Sequence, residues 1–211
     1  MAGFAIFDDA AVCDAAKQEI IRRYYAAMTN VTQGMSDMSA TTKIEFLMKQ
    51  VGVTLDDRKV VAPAIAKAEE TGLPAVALEL PNGKIVTGKT SSLLGASSAL
   101  LLNCLKELAG IPDDIDLISS TIIEPVQRLK TEIMGNHNPR LHTNEVLIAL
   151  SICATTDENA ARCMEKLSEL RGCEVHSSVL LAAVDETVFR RLGCNLTCEP
   201  IYQTKKLYPG N

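Results

Sequence analysis

The chain reads as an α/β protein: a three-layer αβα sandwich preceded by a small helical subdomain over residues 1–72, with the layered domain over 73–211. Three observations predict it. Up to Gly72 the apolar residues recur mainly at helical spacing. At Leu73 the pattern switches to β-forming runs around a tight turn, and beyond residue 90 helical runs alternate with β-runs, the order that layers helices on a sheet. Hydrophobic residues make up 47% and aromatics only 4%, with no Trp, so the core must be built from Leu, Ile, Val, Ala and Met, which suits helices packed on strands.

The segment Gly3–Phe7 (GFAIF) is predicted as a short strand with no preceding element to pair with. Asp8 or Asp9 then caps a helix in which Val12, Ala16, Ile20 and Tyr24 share one face while Lys17, Arg22 and Arg23 lie on the other. A polar stretch, TNVTQGMSDMSATT, separates it from a second helix, KIEFLMKQVG. A third, LDDRKVVAPAIAKAEETG, is expected to be interrupted by Pro63 and to stop at Gly72.

PAVALEL, PNG and KIVTG form a strand, a tight turn and a second strand, a hairpin. The long helix SLLGASSALLLNCLKELAG follows. Its Gly95, Ala96, Ser97 and Ser98 are small enough for close packing on the sheet. DLIS reads as a short strand, and TIIEPVQRLKTEIMG as a helix with Pro125 in its first turn. Three more helices are predicted, HTNEVLIALSICATT, DENAARCMEKLSELRG and DETVFRRLG, with CEVHSSVLLAAV as a strand between the last two.

Composition excludes several classes of function. A net charge of −5 gives no general attraction to phosphate backbones or anionic lipid, so nucleic acid is not an expected partner. The longest apolar stretches, 98–102 and 179–184, fall well short of the roughly 20 residues that span a bilayer. The N-terminus carries acids where a signal peptide has basic residues, so the expected location is the cytoplasm. Seven cysteines, an odd number in a chain with no export signal, are expected to be mostly buried small hydrophobes rather than a disulfide framework.

The stretches AAKQEIIRRYY, LPNGKIVTGKTSSLLGASSALLLN and NPRLHTNEVLIALSICA, and the stretch from LRGCEVHSS to TCEPIYQTKKLY, resemble an uncharacterised bacterial family, the domain of unknown function number eighteen forty-six. The resemblance runs from about Gly3 to Tyr208. It implies that the chain corresponds to the C-terminal half of a longer protein, with a helical part followed by an αβα part similar in topology to cytidine deaminases. It carries no established activity, although some members are loosely labelled nucleotide-dependent proteases.

Four chemistries can be weighed on the residues. Gly83-Lys-Ile-Val-Thr-Gly88-Lys89-Thr90 has the spelling of a P-loop, and LLAAVDE, ending in Asp185 and Glu186, imitates the magnesium-binding partner. Lys-Ile-Val-Thr is a β-forming tetrapeptide, however, so a hairpin strand is the expectation. Gly88, Lys89, Thr90, Ser91 and Ser92 still precede a long helix, whose free amides would favour an anion unless Ser or Thr simply caps it. Zinc deamination needs His or Cys plus Glu at that helix and a later P-C-x-x-C. The helix reads GASSALLLN and no such motif follows, so no deaminase metal is expected.

Cys173, His176, Cys194 and Cys198 have ligand types suited to zinc, but strand positions three apart point to opposite faces, and buried thiols with a hydrogen-bonded His are expected instead. The densest group of chemically able residues is GNHNPRLHTNE. There His142 can exchange a proton near neutral pH with Glu145 orienting it, Arg140 can clamp an oxyanion, and His137 and Asn138 can line the site, with Thr143 or Asn144 capping the next helix. The plain alternative is a polar capping loop.

The expected ligand is a small anionic, phosphorylated molecule held between the 88–92 and 137–145 loops. No cofactor is named by the residues. The competing expectation is an assembly module, self-associating or docked on an absent N-terminal half.

Overall fold

The computed structural model describes residues 8–203, so the expected strand at residues 3–7 lies outside the described residues. Asp8 caps the first helix, α1 (Asp9–Thr32), by accepting from the Ala11 amide at 3.0 Å. The helix α2 (Ser39–Val51) starts four residues before the expected Lys43. In α3 (Val61–Thr71), Pro63 sits in the first turn, where its missing N–H has no helical partner to lose, so it does not interrupt the helix. Gly72 ends α3 in the left-handed conformation.

The sheet holds four strands, β1 (Ala75–Glu79), β2 (Ile85–Lys89), β3 (Glu174–Ser177) and β4 (Asn195–Cys198), in the order β2-β1-β3-β4. The pairs β1/β2 and β1/β3 are antiparallel and β3/β4 is parallel, so the fold is mixed α/β as the sequence predicts. Alternation along β1 separates its two faces. Val76 and Leu78 enter the main core with α4 (Ala96–Ala109), while Ala77 meets Val60 and Ala64 of the α3 region. Helices α3 and α1 pack on the sheet from one side and α4 from the other.

The remaining helices are α5 (Ser120–Arg128), α6 (Thr143–Cys153), α7 (Glu158–Glu165) and α8 (Ala183–Leu192). Residues of α6, α7 and α8 join the core beneath α4, with Phe189 of α8 fully buried there. The parallel pair β3/β4 is joined through α8, the crossover that parallel strands require.

The P-loop spelling is a hairpin strand. Gly83 turns the chain at φ 81°, and Val76 pairs with Gly88 and Ala75 with Lys89. Gly88 is glycine for packing: a Cβ there would lie 2.1 Å from the Leu100 amide nitrogen of α4. Helix and strand are in backbone contact at this point, while the small residues Gly95 and Ser98 at the start of α4 meet the Leu141 carbonyl instead.

Three local expectations are corrected. DLIS is not a strand: Leu117 and Ile118 are buried, but in a turn leading to α5, where core contact rather than sheet pairing explains their hydrophobicity. Pro125 lies inside α5 rather than in its first turn, and one turn of π-helix, Leu129–Ile133, follows. The strand expected over 173–184 ends at Ser177. Beyond it Ser178 closes the sheet, its amide donating to the Ala75 carbonyl and its Oγ accepting from the Ala75 amide, and residues 179–182 leave as a loop.

β4 was not expected at all. It is held by Arg58, which is 1% exposed. The Arg58 guanidinium donates to the carbonyls of Val175 and Asn195, to Thr197 Oγ1 and Gln18 Oε1, and pairs with Glu174. Beside it His176, fully buried, hydrogen-bonds Thr197 Oγ1 through Nδ1 at 2.8 Å and Glu199 through Nε2 at 3.1 Å, and Tyr25 of α1 donates to the same Glu199 oxygen. Both imidazole nitrogens are therefore engaged by protein groups. The thiols of Cys173 and Cys194 donate to the carbonyls of Glu169 and Leu170, and burial pushes the Cys194 and Cys198 thiols up to about 12, as inert apolar residues.

Candidate functional site

The N-terminal ends of three helices converge on one cavity. Gly95 precedes α4, His142 precedes α6 and Ala182 precedes α8, and all three residues line a space of about 850 Å3, large enough for a metabolite-sized molecule. The juncture is built by Leu141. Its amide donates to the Leu93 carbonyl, and its carbonyl accepts from the Gly95 amide and from Ser98 Oγ, so the loop before α6 is stitched to the start of α4.

The three helix ends are finished differently. At α6 the Thr143 amide and hydroxyl both donate to Asp185 Oδ1 at 2.9 Å, and Glu145 Oε2 accepts from the His142 amide at 2.8 Å. The cap position is thus His142, not the expected Thr143 or Asn144, because Thr143 is drawn inward to Asp185. At α8 the first turn carries its own acids, Asp185 and Glu186. At α4 the cap is a glycine without a side chain and the first turn has no acid. Among the described residues, no acceptor takes the amides of Ala96, Ser97 or Ser98. Ser97 also lines the cavity, is 2% exposed, and its Oγ has no hydrogen-bond partner among the described residues.

His142 is oriented by Asp185. Its Nδ1 lies 3.0 Å from Asp185 Oδ2, so a carboxylate there favours the tautomer with the proton on Nδ1 and the lone pair on Nε2. Glu145 acts elsewhere, on the His142 main chain and on Lys130 Nζ at 2.7 Å. Lys130 is buried and also donates to the Arg140 carbonyl at 2.6 Å. It projects from the π-helical turn, whose extra residue per turn shifts side-chain phase and fits a segment that must aim a lysine inward.

Of the residues singled out in sequence, Thr90, His137, Asn138, Arg140, His142 and Glu145 line this cavity, whereas Gly88, Lys89, Ser91 and Ser92 do not. Gly88 is under α4 and Lys89 is exposed at the end of β2. Ser91 supports the site from outside: its carbonyl accepts from Arg140 Nε at 2.6 Å, and its Oγ accepts from the amides of Leu93 and Leu94. The Ser92 carbonyl accepts from Gln127.

Sequence reasoning missed Lys130, Asp185 and Ser97. Asp185 had been noticed only as an imitation of a magnesium ligand, and its position in the first turn of a helix was the available signal. Among the described residues no cluster of three or more His, Cys, Asp or Glu side chains is placed to hold a metal ion, and no helix is long and apolar enough to cross a membrane.

Comparison with known proteins agrees with the resemblance read from sequence and refines its span. Residues 56–208 match the family model described as "Domain of unknown function DUF1846, C-terminal", and residues 1–52 match its N-terminal counterpart. The chain is 51% identical over 208 residues to a UPF0371 protein of Corynebacterium glutamicum, and 52% identical to one of Corynebacterium efficiens. It is also 51% identical to one of Streptococcus thermophilus. Each comparison covers 99% of this chain and 42% of the relative, so the chain spans about two-fifths of the length of the curated relatives it matches. Because the C-terminal family model matches well over half of the chain, the chain belongs to the DUF1846 family.

Proposed function

We propose that the cavity at the starts of α4, α6 and α8 binds a small anionic molecule, with His142 positioned to exchange a proton with it. The observation that carries this reading is the first turn of α4, where uncapped amides stand at the cavity wall beside Ser97, a lining residue whose buried hydroxyl has no partner among the described residues. Helix N-termini favour anions through oriented amides and the helix dipole. Arg140 adds a guanidinium whose Nε is fixed on the Ser91 carbonyl, directing the rest of the fork. The two acids of the site are already hydrogen-bonded, Glu145 to Lys130 and the His142 amide, Asp185 to Thr143 and His142.

If chemistry follows binding, His142 is its acid or base and Asp185 its orienting partner, the geometry in which a carboxylate holds imidazole by one nitrogen and leaves the other to act. Titration calorimetry with inorganic phosphate and simple phosphate esters tests the binding. Arg140→Ala and His142→Ala should each weaken affinity while leaving the melting temperature unchanged, and unaltered affinity in both would reject the assignment.

A second reading, assembly, rests on a separate observation. Leu129, Ile133 and Met134 around the π-turn and Ile148 and Ile152 on α6 are exposed apolar side chains. Docking on the remainder of a longer protein, or on a second copy, would cover them. Gel filtration of the chain alone and joined to that remainder separates this reading from a self-sufficient binding domain.

A further inference from the structure

The chemical class of the ligand can be narrowed from charge and wall chemistry, resting on the binding reading above. We infer that the cavity takes a compact oxyanion, a phosphate monoester or carboxylate, carried on an apolar body, and that Ser97 and the first-turn amides of α4 grip the oxyanion while the apolar body lies against residues 179–183.

The charge balance sets the size of the anionic part. Lys130 is not available to a ligand's phosphates, because its ammonium is buried against Glu145 Oε2 and the Arg140 carbonyl. That leaves the Arg140 guanidinium and the partial positive charge at the start of α4 facing Glu145 and Asp185 on the same walls. With Lys130 cancelling Glu145 and Arg140 set against Asp185, the α4 dipole leaves an excess of about half a positive charge, which suits a single compact oxyanion rather than a chain of phosphates. A triphosphate would set further charges against the two carboxylates and would need Lys89, which is exposed at the end of β2 and away from the cavity.

Much of the remaining lining is apolar. Val179, Leu180, Ala182 and Ala183 lie on the segment that leaves β3 and enters α8, and Pro74 and Pro139 face the same space. A ligand that were charged throughout would leave this surface uncompensated. One anionic end and one apolar body satisfies both parts of the lining.

Ser97 supplies the discriminating residue. A buried hydroxyl without a partner is disfavoured in the free protein, and it gains a charge-assisted hydrogen bond when an oxyanion sits on the α4 turn. Ser97→Ala should therefore keep or raise the melting temperature and weaken oxyanion binding about tenfold, the effect of losing one hydrogen bond to a charged group.

The experiment is titration calorimetry of the wild-type chain and Ser97→Ala with phenyl phosphate, phenylacetate and ATP as separate probes, with melting curves for both proteins. Binding of phenyl phosphate or phenylacetate in preference to ATP, weakened in Ser97→Ala, is the expected result, and the preferred arm tells which oxyanion the turn takes. Preferential binding of ATP, lost in Arg140→Ala, would overturn this inference and leave the broader anion-binding reading standing. Aryl oxyanion binding unchanged in Ser97→Ala would overturn the placement on α4. Absence of binding by all three probes would overturn both readings.

Discussion

Replacing Gly88 by alanine puts one methyl group where α4 and β2 are already in backbone contact. The added Cβ would stand 2.1 Å from the Leu100 nitrogen, 2.4 Å from its Cα and 2.8 Å from its Cβ. Main-chain atoms cannot rotate aside, so restoring a contact of about 3.5 Å requires the helix to retreat by roughly 1.4 Å. That retreat would loosen Leu100, Leu101 and Leu105, all fully buried. Overpacking of this kind costs about 1–3 kcal/mol, and a backbone clash puts Gly88→Ala at the upper end or beyond. For a domain of this size about 3 kcal/mol corresponds to a fall in melting temperature of roughly 6–12 °C. Differential scanning calorimetry reads it directly, with Lys89→Ala as control, an exposed substitution expected within about 0.5 kcal/mol of wild type. A Gly88→Ala protein that melts like the wild type, or a Lys89→Ala protein that loses nucleotide binding, would refute the packing explanation of this glycine and restore the P-loop.

Arg58→Ala should destabilise by about 3 kcal/mol in urea unfolding, because it leaves Glu174 without its buried partner and strips donors from two carbonyls of β3 and β4. A loss below about 1 kcal/mol would mean that Arg22, which also pairs with Glu174, carries the charge by itself. Stability should also fall with acid through the His176 cluster. Burial holds the His176 imidazole below its ordinary 6.5, and the hydrogen bond from His176 holds the Glu199 carboxyl below 4.5. For each group the unfolded chain takes up the proton first as pH drops. Stability is therefore complete above pH 6.5, declines below it as the imidazole charges in the unfolded state, and declines again below 4.5 with the carboxyl. Urea midpoints measured from pH 8 to 4 should show the upper stage diminished in His176→Gln, and identical pH slopes in the two proteins would contradict the linkage.

Much of the architecture was legible because its signals are local. The PNG turn between two β-runs, the Asp8 cap and the glycines closing α3, α4 and α8 are each set by a few neighbouring residues. What was illegible depends on distant partners. β4 is four residues long and is stabilised through Arg58, 137 residues away from Asn195 in sequence, so no local pattern marks it. Leu117 and Ile118 are as apolar as strand residues but bury themselves from a turn. The site was half visible: the loop before α6 announced itself by its density of polar residues, while Lys130, Ser97 and Asp185 each lie in a helical context that hides their purpose until three helix ends are brought together. Glu145 was read as the partner of the His142 ring, yet that place belongs to Asp185, 43 residues further on, because a cap carboxylate folds back on the main chain.

The central claim concerns where an anion sits, and a crystal structure of the protein soaked with phenyl phosphate tests it most directly. The account predicts phosphate oxygens within hydrogen-bond distance of Ser97 Oγ and the first-turn amides of α4, with the ring against residues 179–183. Phenyl phosphate bound at Lys89, or the α4 turn bare at saturating ligand, would contradict it.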